Sequence, residues 1–348
     1  MTKAELLEAI KRDDTIENVD LTGINLSGED LSGARFENVV FRGANLSGAR
    51  IQRTGFKNCD FTGALVENVD LTKVIWYQLN LSGIILRRAN LTKAVLTGSD
   101  FTGADLSGSN LTSAVMDNTK LDKAKLSGAT LLRTLLYKAS LKGADLSGAD
   151  LSRTVFYEAD LSGALLKGSK IFKTFLRDCA LAGQDFRGAQ FSCVQAGGAD
   201  FKECDFTGAD ITQTNFMNAD MTGAKLDGAK GQRSVFYGTK MAGATLTGAD
   251  LLQSCFEGSD LSLADLSGTN IEQAIFVKAI CKAAKFQDAN CTYADFSHAD
   301  LTASDFTSAR LFRANMHRII EEHTIWDKSN REAALGTGRR ADATAVLG

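Results

Sequence analysis

The 348-residue sequence contains no proline, although about 17 would be expected at the usual proportion near 5%. Because proline has no backbone N–H, its complete absence indicates a chain whose amides are paired along the whole length. The 32 glycines exclude a largely helical protein, since glycine destabilises helix interiors.

Long apolar runs and clustered cysteines are also missing. No stretch approaches the about 20 apolar residues of a membrane span, and the opening MTKAELLEAIKRDD places charges where a signal peptide has its apolar core. The seven cysteines contain no C-x-x-C pair, which disfavours a disulfide framework or a zinc site. The formal net charge is only -3. These features predict a soluble, cytosolic chain.

Large apolar residues are present at every fifth position from Leu21 to Met316, without a change of register. Only four positions differ, and they hold Ala196, Gly231, Cys281 and Cys291. A small residue generally lies two positions before each large one, so the repeating unit is A-[DN]-[LF]-x-x. A period of five fits neither a helix nor a flat strand. It predicts a solenoid in which the large residues fill the axis and successive coils pair through backbone hydrogen bonds about 4.8 Å apart.

Several segments resemble the pentapeptide-repeat family, among them GANLSGARI (43–51), GADLSGADLS (143–152) and CDFTGADIT (204–212). The resemblance covers most of the chain. It implies an all-β solenoid, a right-handed quadrilateral β-helix of about 15 coils with 20 residues per coil. The expected organisation is an N-terminal capping helix (1–15), one continuous β-helix (16–317) and a C-terminal cap and tail (318–348).

Both ends are expected to carry short helical caps, because terminal coils expose unpaired edges. Thr2 and Glu5 form a capping-box pattern ahead of Leu6, Leu7 and Ile10. Ser329 and Glu332 repeat that pattern before Gly336, a natural helix stop. Trp326 remains in the five-residue register and is expected to close the last coil.

With 20 residues per coil, every position belongs to one of four faces, and these faces differ. Three carry outward acidic or polar residues, such as Asp100, Asp160 and Asp200. The fourth is apolar and aromatic and is bordered by cations, which is the composition of protein interfaces. An outward apolar column can also be ordinary β surface covered by long side chains. We predict a partner-binding face composed of Lys73, Ile75, Tyr77, Val115, Arg133, Leu135, Tyr137, Arg153, Val155, Tyr157, Phe175, Arg233, Val235, Tyr237 and Ile275.

Catalytic and metal-binding patterns are weak, and no cofactor is expected. The three histidines lie near one end, and Cys193 is five coils from His298, about 25 Å at the strand spacing. His317, Glu321 and His323 would form a metal site only in a helical geometry that aligned them. The sequence therefore predicts a non-enzymatic protein without a metal.

Two functions are implied by resemblance. Some pentapeptide-repeat proteins act as DNA mimics that inhibit or protect type II topoisomerases such as DNA gyrase, which requires dense negative charge. The opening and ending segments instead resemble modules that accompany spike proteins of bacterial type VI secretion systems. The near-neutral charge favours the secretion-related function over DNA mimicry. The protein is then expected to be an interaction scaffold or adaptor, located in the bacterial cytoplasm or exported with the apparatus. Its partner is expected to be a spike, effector or adaptor protein, or a second copy, without direct nucleic-acid binding.

Overall fold

The computed structural model describes residues 1–336. The chain divides into two compact units, Met1–Phe175 (unit 1) and Leu176–Gly348 (unit 2). Unit 1 begins with helix α1 (Lys3–Lys11), followed by strands β1 (Thr15–Glu17), β2 (Arg35–Glu37) and β3 (Gly55–Lys57). The short helix Arg331–Ala333, of the 3-10 type, lies near the end of the described part of unit 2.

Parallel pairing between residues twenty positions apart organises both units. Strand β1 pairs with β2, and β2 with β3, so that Ile16 aligns with Phe36 and Phe36 with Phe56. Isolated bridges continue the same spacing, from Asp20 and Val40 in unit 1 to Asn315 and Leu335 in unit 2. Each backbone pass is therefore 20 residues long. The expected continuity from 16 to 317 also concerns how the two units join, and it stays a prediction.

A tight turn in each five-residue segment explains the direction of the side chains. Ala144 N–H donates to the Leu141 carbonyl at 3.0 Å, and the intervening Gly143 has φ 62°. A positive φ at this third position is the requirement of a type II turn. The turn directs Leu141 and Ala144 into the core, where both are fully buried, while the next residue pairs with the neighbouring coils.

The axis of each unit is filled by the residues of the five-residue register, and aromatic side chains stack along it. In unit 2, Phe236, Phe256, Phe276 and Phe296 stack with successive centroid distances of 4.7 Å. Gly231 replaces a large residue because its space is taken: a Cβ there would lie 2.7 Å from Leu251 Cδ2. The space beside Gly231 is thus filled by side chains of the neighbouring coils.

Helix α1 covers the first coil of unit 1. Thr2 accepts the Glu5 N–H at 3.3 Å, and Glu5 Oε2 accepts the Thr2 N–H at 2.7 Å, which completes a capping box. Leu6 and Ala9 are buried, whereas Leu7 and Ile10 are half-buried. Lys3 Nζ forms an ion pair with Glu29 at 2.6 Å, which ties the helix to the coils.

The capping box predicted from Ser329 and Glu332 is wrong, and the C-terminal helical cap as a whole stays a prediction. Ser329 Oγ donates to the Trp326 carbonyl at 2.7 Å, and only the short 3-10 helix follows, with no side-chain capping bond. Backbone bridges continue past residue 317 to Ile325 and Leu335. The segment pairs as a further coil because backbone hydrogen bonds do not depend on the side chains that depart from the repeat. Trp326 stacks on Phe306 at 4.7 Å.

Candidate interaction face

A continuous row of outward apolar side chains runs along unit 1. We call this row the apolar face, and its members are Ile75, Val95, Val115, Leu135, Val155 and Phe175. Each is bridged to the next by parallel backbone pairing. Ile75 is 67% exposed, Phe175 44% and Leu135 40%, whereas the valines are half-buried. Exposed apolar rows of this kind are interaction sites or aggregation hazards in β proteins.

Tyrosines border the apolar face on the side that follows it in the chain. Tyr137 and Tyr157 stack with centroids 5.4 Å apart and planes 11° from parallel. Lys138 Nζ lies 5.0 Å from the centre of the Tyr137 ring and 3.4 Å from Glu158 Oε2. Tyr77 is 55% exposed. The stacked pair forms a preorganised aromatic surface two residues away from Leu135 and Val155.

Cations border the opposite side of the apolar face. We call this column the basic corner, and it consists of Arg53, Lys73, Lys93, Arg133, Arg153 and Lys173. All six have positive φ, between 55° and 61°, because they occupy the third position of the turn. None of them forms an ion pair with a carboxylate in residues 1–336, although Lys173 lies 5.0 Å over the Phe172 ring. The corner therefore presents a row of uncompensated positive charge that is interrupted at Ser113.

Cations on the other faces of unit 1 behave differently, because many neutralise an aspartate of the next coil. Arg42 pairs with Asp60 at 2.6 Å, and Arg87 pairs with Asp105 at 2.7 Å. The aspartates also cap turns, as when Asp60 Oδ1 accepts the Thr62 N–H at 3.0 Å. Desolvation raises the pKa of Asp105, but hydrogen bonds from Ser107 and Arg87 outweigh it and hold that pKa below its ordinary value. These acids hold coils together.

In unit 2, polar residues interrupt the column and the corner that contain the predicted residues Arg233, Val235, Tyr237 and Ile275. Their column of bridged residues begins with Gln195 and Asn215 and reaches Asp295 after Ile275. Its corner holds Cys193, Gln213, Gln253 and Gln273 around Arg233, whose Nε donates to Gln253 Oε1 at 3.0 Å. Tyr237 is 43% exposed. Unit 2 therefore lacks the basic row of unit 1.

Three further exposed aromatic residues were not among the predicted partner-binding residues. Phe172 is 40% exposed beside Lys173, and Phe312 is 48% exposed. Tyr293 packs edge-on against Phe312 at 5.7 Å, and the Arg313 guanidinium lies 5.9 Å from that ring. The exposure of Phe172 and Phe312 could have been predicted from the sequence. These two residues and Phe175 are the phenylalanines that lie outside the five-residue core register.

Reactive and metal-binding arrangements do not assemble in residues 1–336, which contain no cluster of three potential metal ligands. His317, Glu321 and His323 lie in coil backbone rather than in a helix, and the His317 ring packs edge-on against His298 at 5.6 Å. Burial raises the pKa of the Cys204 thiol to about 12, far from the thiolate form of a nucleophile. No helix in this part of the chain is long and apolar enough to cross a membrane.

The family model for pentapeptide repeats matches the chain in eight copies, over residues 20–57, 77–113, 99–135, 134–171, 199–230, 214–253, 239–276 and 279–318. These ranges together cover more than half of the chain. No curated protein matches the sequence significantly.

Solved structures of three proteins show limited similarity. QnrB1, a plasmid-mediated fluoroquinolone resistance protein in a trypsin-treated form, is 16% identical over 58% of this chain and 93% of its own, with a TM-score of 0.43. HetL, which is involved in heterocyst differentiation regulation in Nostoc sp. strain PCC 7120, is 18% identical over 97% and 98%, with a TM-score of 0.16. A protein of the Arabidopsis thaliana thylakoid lumen is 23% identical over 36% and 69%, with a TM-score of 0.24. At these identities and TM-scores the three similarities carry no argument about function.

Proposed function

This chain belongs to the pentapeptide-repeat family, and we propose that it is a non-enzymatic scaffold that binds a protein partner through the apolar face of unit 1. Family membership implies a right-handed quadrilateral β-helix. The observation that carries the proposal is the uninterrupted row from Ile75 to Phe175, exposed between stacked tyrosines and an unpaired basic corner. Aromatic and arginine side chains are the usual anchors of protein interfaces.

The finer proposal assigns the scaffold to a bacterial type VI secretion system. Its support is the resemblance of the opening and ending segments to modules that accompany spike proteins of that apparatus. The partner would be a spike, an effector or an adaptor, and the protein would act in the cytoplasm or leave with the apparatus.

Pull-down from the native organism tests the scaffold role. Wild-type protein is compared with Val155→Asp/Tyr157→Ala, which changes the apolar face without altering the core register, and with Thr130→Asp on another face as the matched control. We expect the double variant to lose a protein that wild type and control both retain. Equal capture by all three would overturn the proposal.

The alternative function, DNA mimicry toward a type II topoisomerase, has weaker physical support. A mimic requires dense uncompensated negative charge, whereas many aspartates here are neutralised by cations of the neighbouring coil, as in the Arg42–Asp60 and Lys142–Asp160 pairs. A supercoiling assay decides between the functions. Inhibition or quinolone protection of gyrase at micromolar concentration would establish mimicry and displace the scaffold role.

A further inference from the structure

We propose that the apolar face receives an amphipathic α-helix of the partner protein, whose carboxylates lie along the basic corner. This inference rests on the proposed function and defines the chemistry of the partner. It assigns one side of the bound helix to apolar contact and one edge to acidic residues.

The unpaired positive charge of the basic corner favours an acidic ligand. The six cations of the basic corner carry no ion pair with residues 1–336, whereas several cations elsewhere in unit 1, such as Arg42 and Arg87, are paired with aspartates. A row of uncompensated cations beside an apolar surface complements a ligand that is apolar and acidic on adjacent sides. Glutamates along one edge of a helix recur about every 5.4 Å, close to the about 4.8 Å between coils.

The length of the apolar face matches that of one short α-helix. The six bridged residues from Ile75 to Phe175 span about 24 Å at the strand spacing. A helix of about 16 residues has the same length and a diameter near 10 Å, so one helix covers the row.

The corresponding surface of unit 2 is less suited to an acidic amphipathic helix. Its outward column contains Gln195 and Asn215 before the apolar residues Val235, Cys255 and Ile275. Its corner contains Gln213, Gln253 and Gln273, with Arg233 as the cation among them. The same backbone therefore carries a shorter apolar column with one corner cation beside it, where unit 1 carries six bridged apolar residues and six cations. The helix is assigned to unit 1 for this reason.

Fluorescence anisotropy with two labelled peptides tests the inference. One probe is an amphipathic peptide of about 18 residues with leucine on one side and glutamate on the other, and the second replaces every glutamate by lysine. We expect the wild-type protein to bind the glutamate peptide at least about tenfold more tightly, with an affinity that falls as salt rises.

Variants then locate the bound peptide. Arg133→Gln/Arg153→Gln should weaken the glutamate peptide about tenfold. Glutamine suits these corners, because Gln213 and Gln253 adopt the same positive φ of 56° and 58°. The matched control Lys225→Gln/Lys230→Gln removes the same charge from exposed positions in unit 2 and should leave the affinity unchanged. Arg133→Glu/Arg153→Glu is the second variant and should reverse the preference between the peptides.

Three results would overturn the inference: no saturable binding of the glutamate peptide, equal affinity for both peptides, or equal weakening by the corner and control variants. The proposed function is tested separately by the captured partner. If partner capture still depends on Val155 and Tyr157 while the glutamate peptide fails, the scaffold stands and only the helical ligand is rejected. If capture is indifferent to the face, the proposed function itself falls.

Discussion

At the scale of single residues, the dominant contribution is burial of the large side chain in each five-residue segment. Leu146 is fully buried, whereas Ser147 follows it in the turn and is half-buried. We expect Leu146→Ala to lower the free energy of unfolding by about 2–5 kcal/mol, as core truncations do. Ser147→Ala should change it by less than about 0.5 kcal/mol. Urea denaturation of the two variants measures the difference, and equal losses would show that the core register has been misassigned.

At Gly231, a core position without a side chain, we expect enlargement rather than truncation to destabilise the protein. The repeat suggests that a leucine here would improve the core, but Leu251 Cδ2 and Ile211 Cδ1 already lie 2.7 and 3.1 Å from the place of a Cβ. Gly231→Leu should therefore destabilise the protein by about 1–3 kcal/mol through overpacking. Gly231→Ala is the smaller step and should cost less. A rise in melting temperature for Gly231→Leu would contradict the packing described for this coil.

At the scale of the coil, the aspartates that accept hydrogen bonds should make the stability of the fold sensitive to acid. The folded-state pKa of Asp105 is lowered despite desolvation, by hydrogen bonds from Ser107 and Arg87. Its stabilising contribution is therefore complete above the unfolded value of about 3.9 and is lost as pH falls through the lower folded value. We expect the melting temperature to decrease below about pH 4, and Asp105→Asn to make that decrease shallower while lowering stability at neutral pH. An unchanged pH profile in the variant would reject this role.

Sequence reasoning predicted the elements that depend on local pattern and missed those that depend on contacts between coils. The five-residue register predicted a solenoid, and segments such as GADLSGADLS (143–152) resembled the pentapeptide-repeat family, which the family match confirms. The register placed Phe175 outward, and the structure agrees. The Arg87–Asp105 pair joins side chains 18 positions apart, so it becomes visible only once the coils are stacked.

The segment after Met316 shows a second limit of the pattern. Glu321 and Arg331 occupy positions where the register places large apolar residues, and they instead form an ion pair at 3.4 Å. Side-chain patterning therefore predicted an end to the repeat and a helix. Backbone pairing of Ile325 and Leu335 continues regardless, since unpaired N–H and C=O groups of a terminal edge favour another paired strand.

For the molecule as a whole, we propose that the apolar face of unit 1 binds a protein. Val155 and Tyr157 point away from the core register, so changing them should leave folding intact and remove contacts that are worth about 2 kcal/mol or more each at interface anchors. The circular dichroism spectrum of Val155→Asp/Tyr157→Ala should therefore match that of the wild type, and its melting temperature should fall only slightly, because the variant loses the stack on Tyr137 but no core side chain.

The most direct measurement is isothermal titration of the captured partner into wild-type protein and into Val155→Asp/Tyr157→Ala. We expect a Kd at least about 100-fold weaker for the folded double variant. Equal Kd values for the two proteins would contradict this expectation, and the exposed row from Ile75 to Phe175 would then be ordinary solvated β surface.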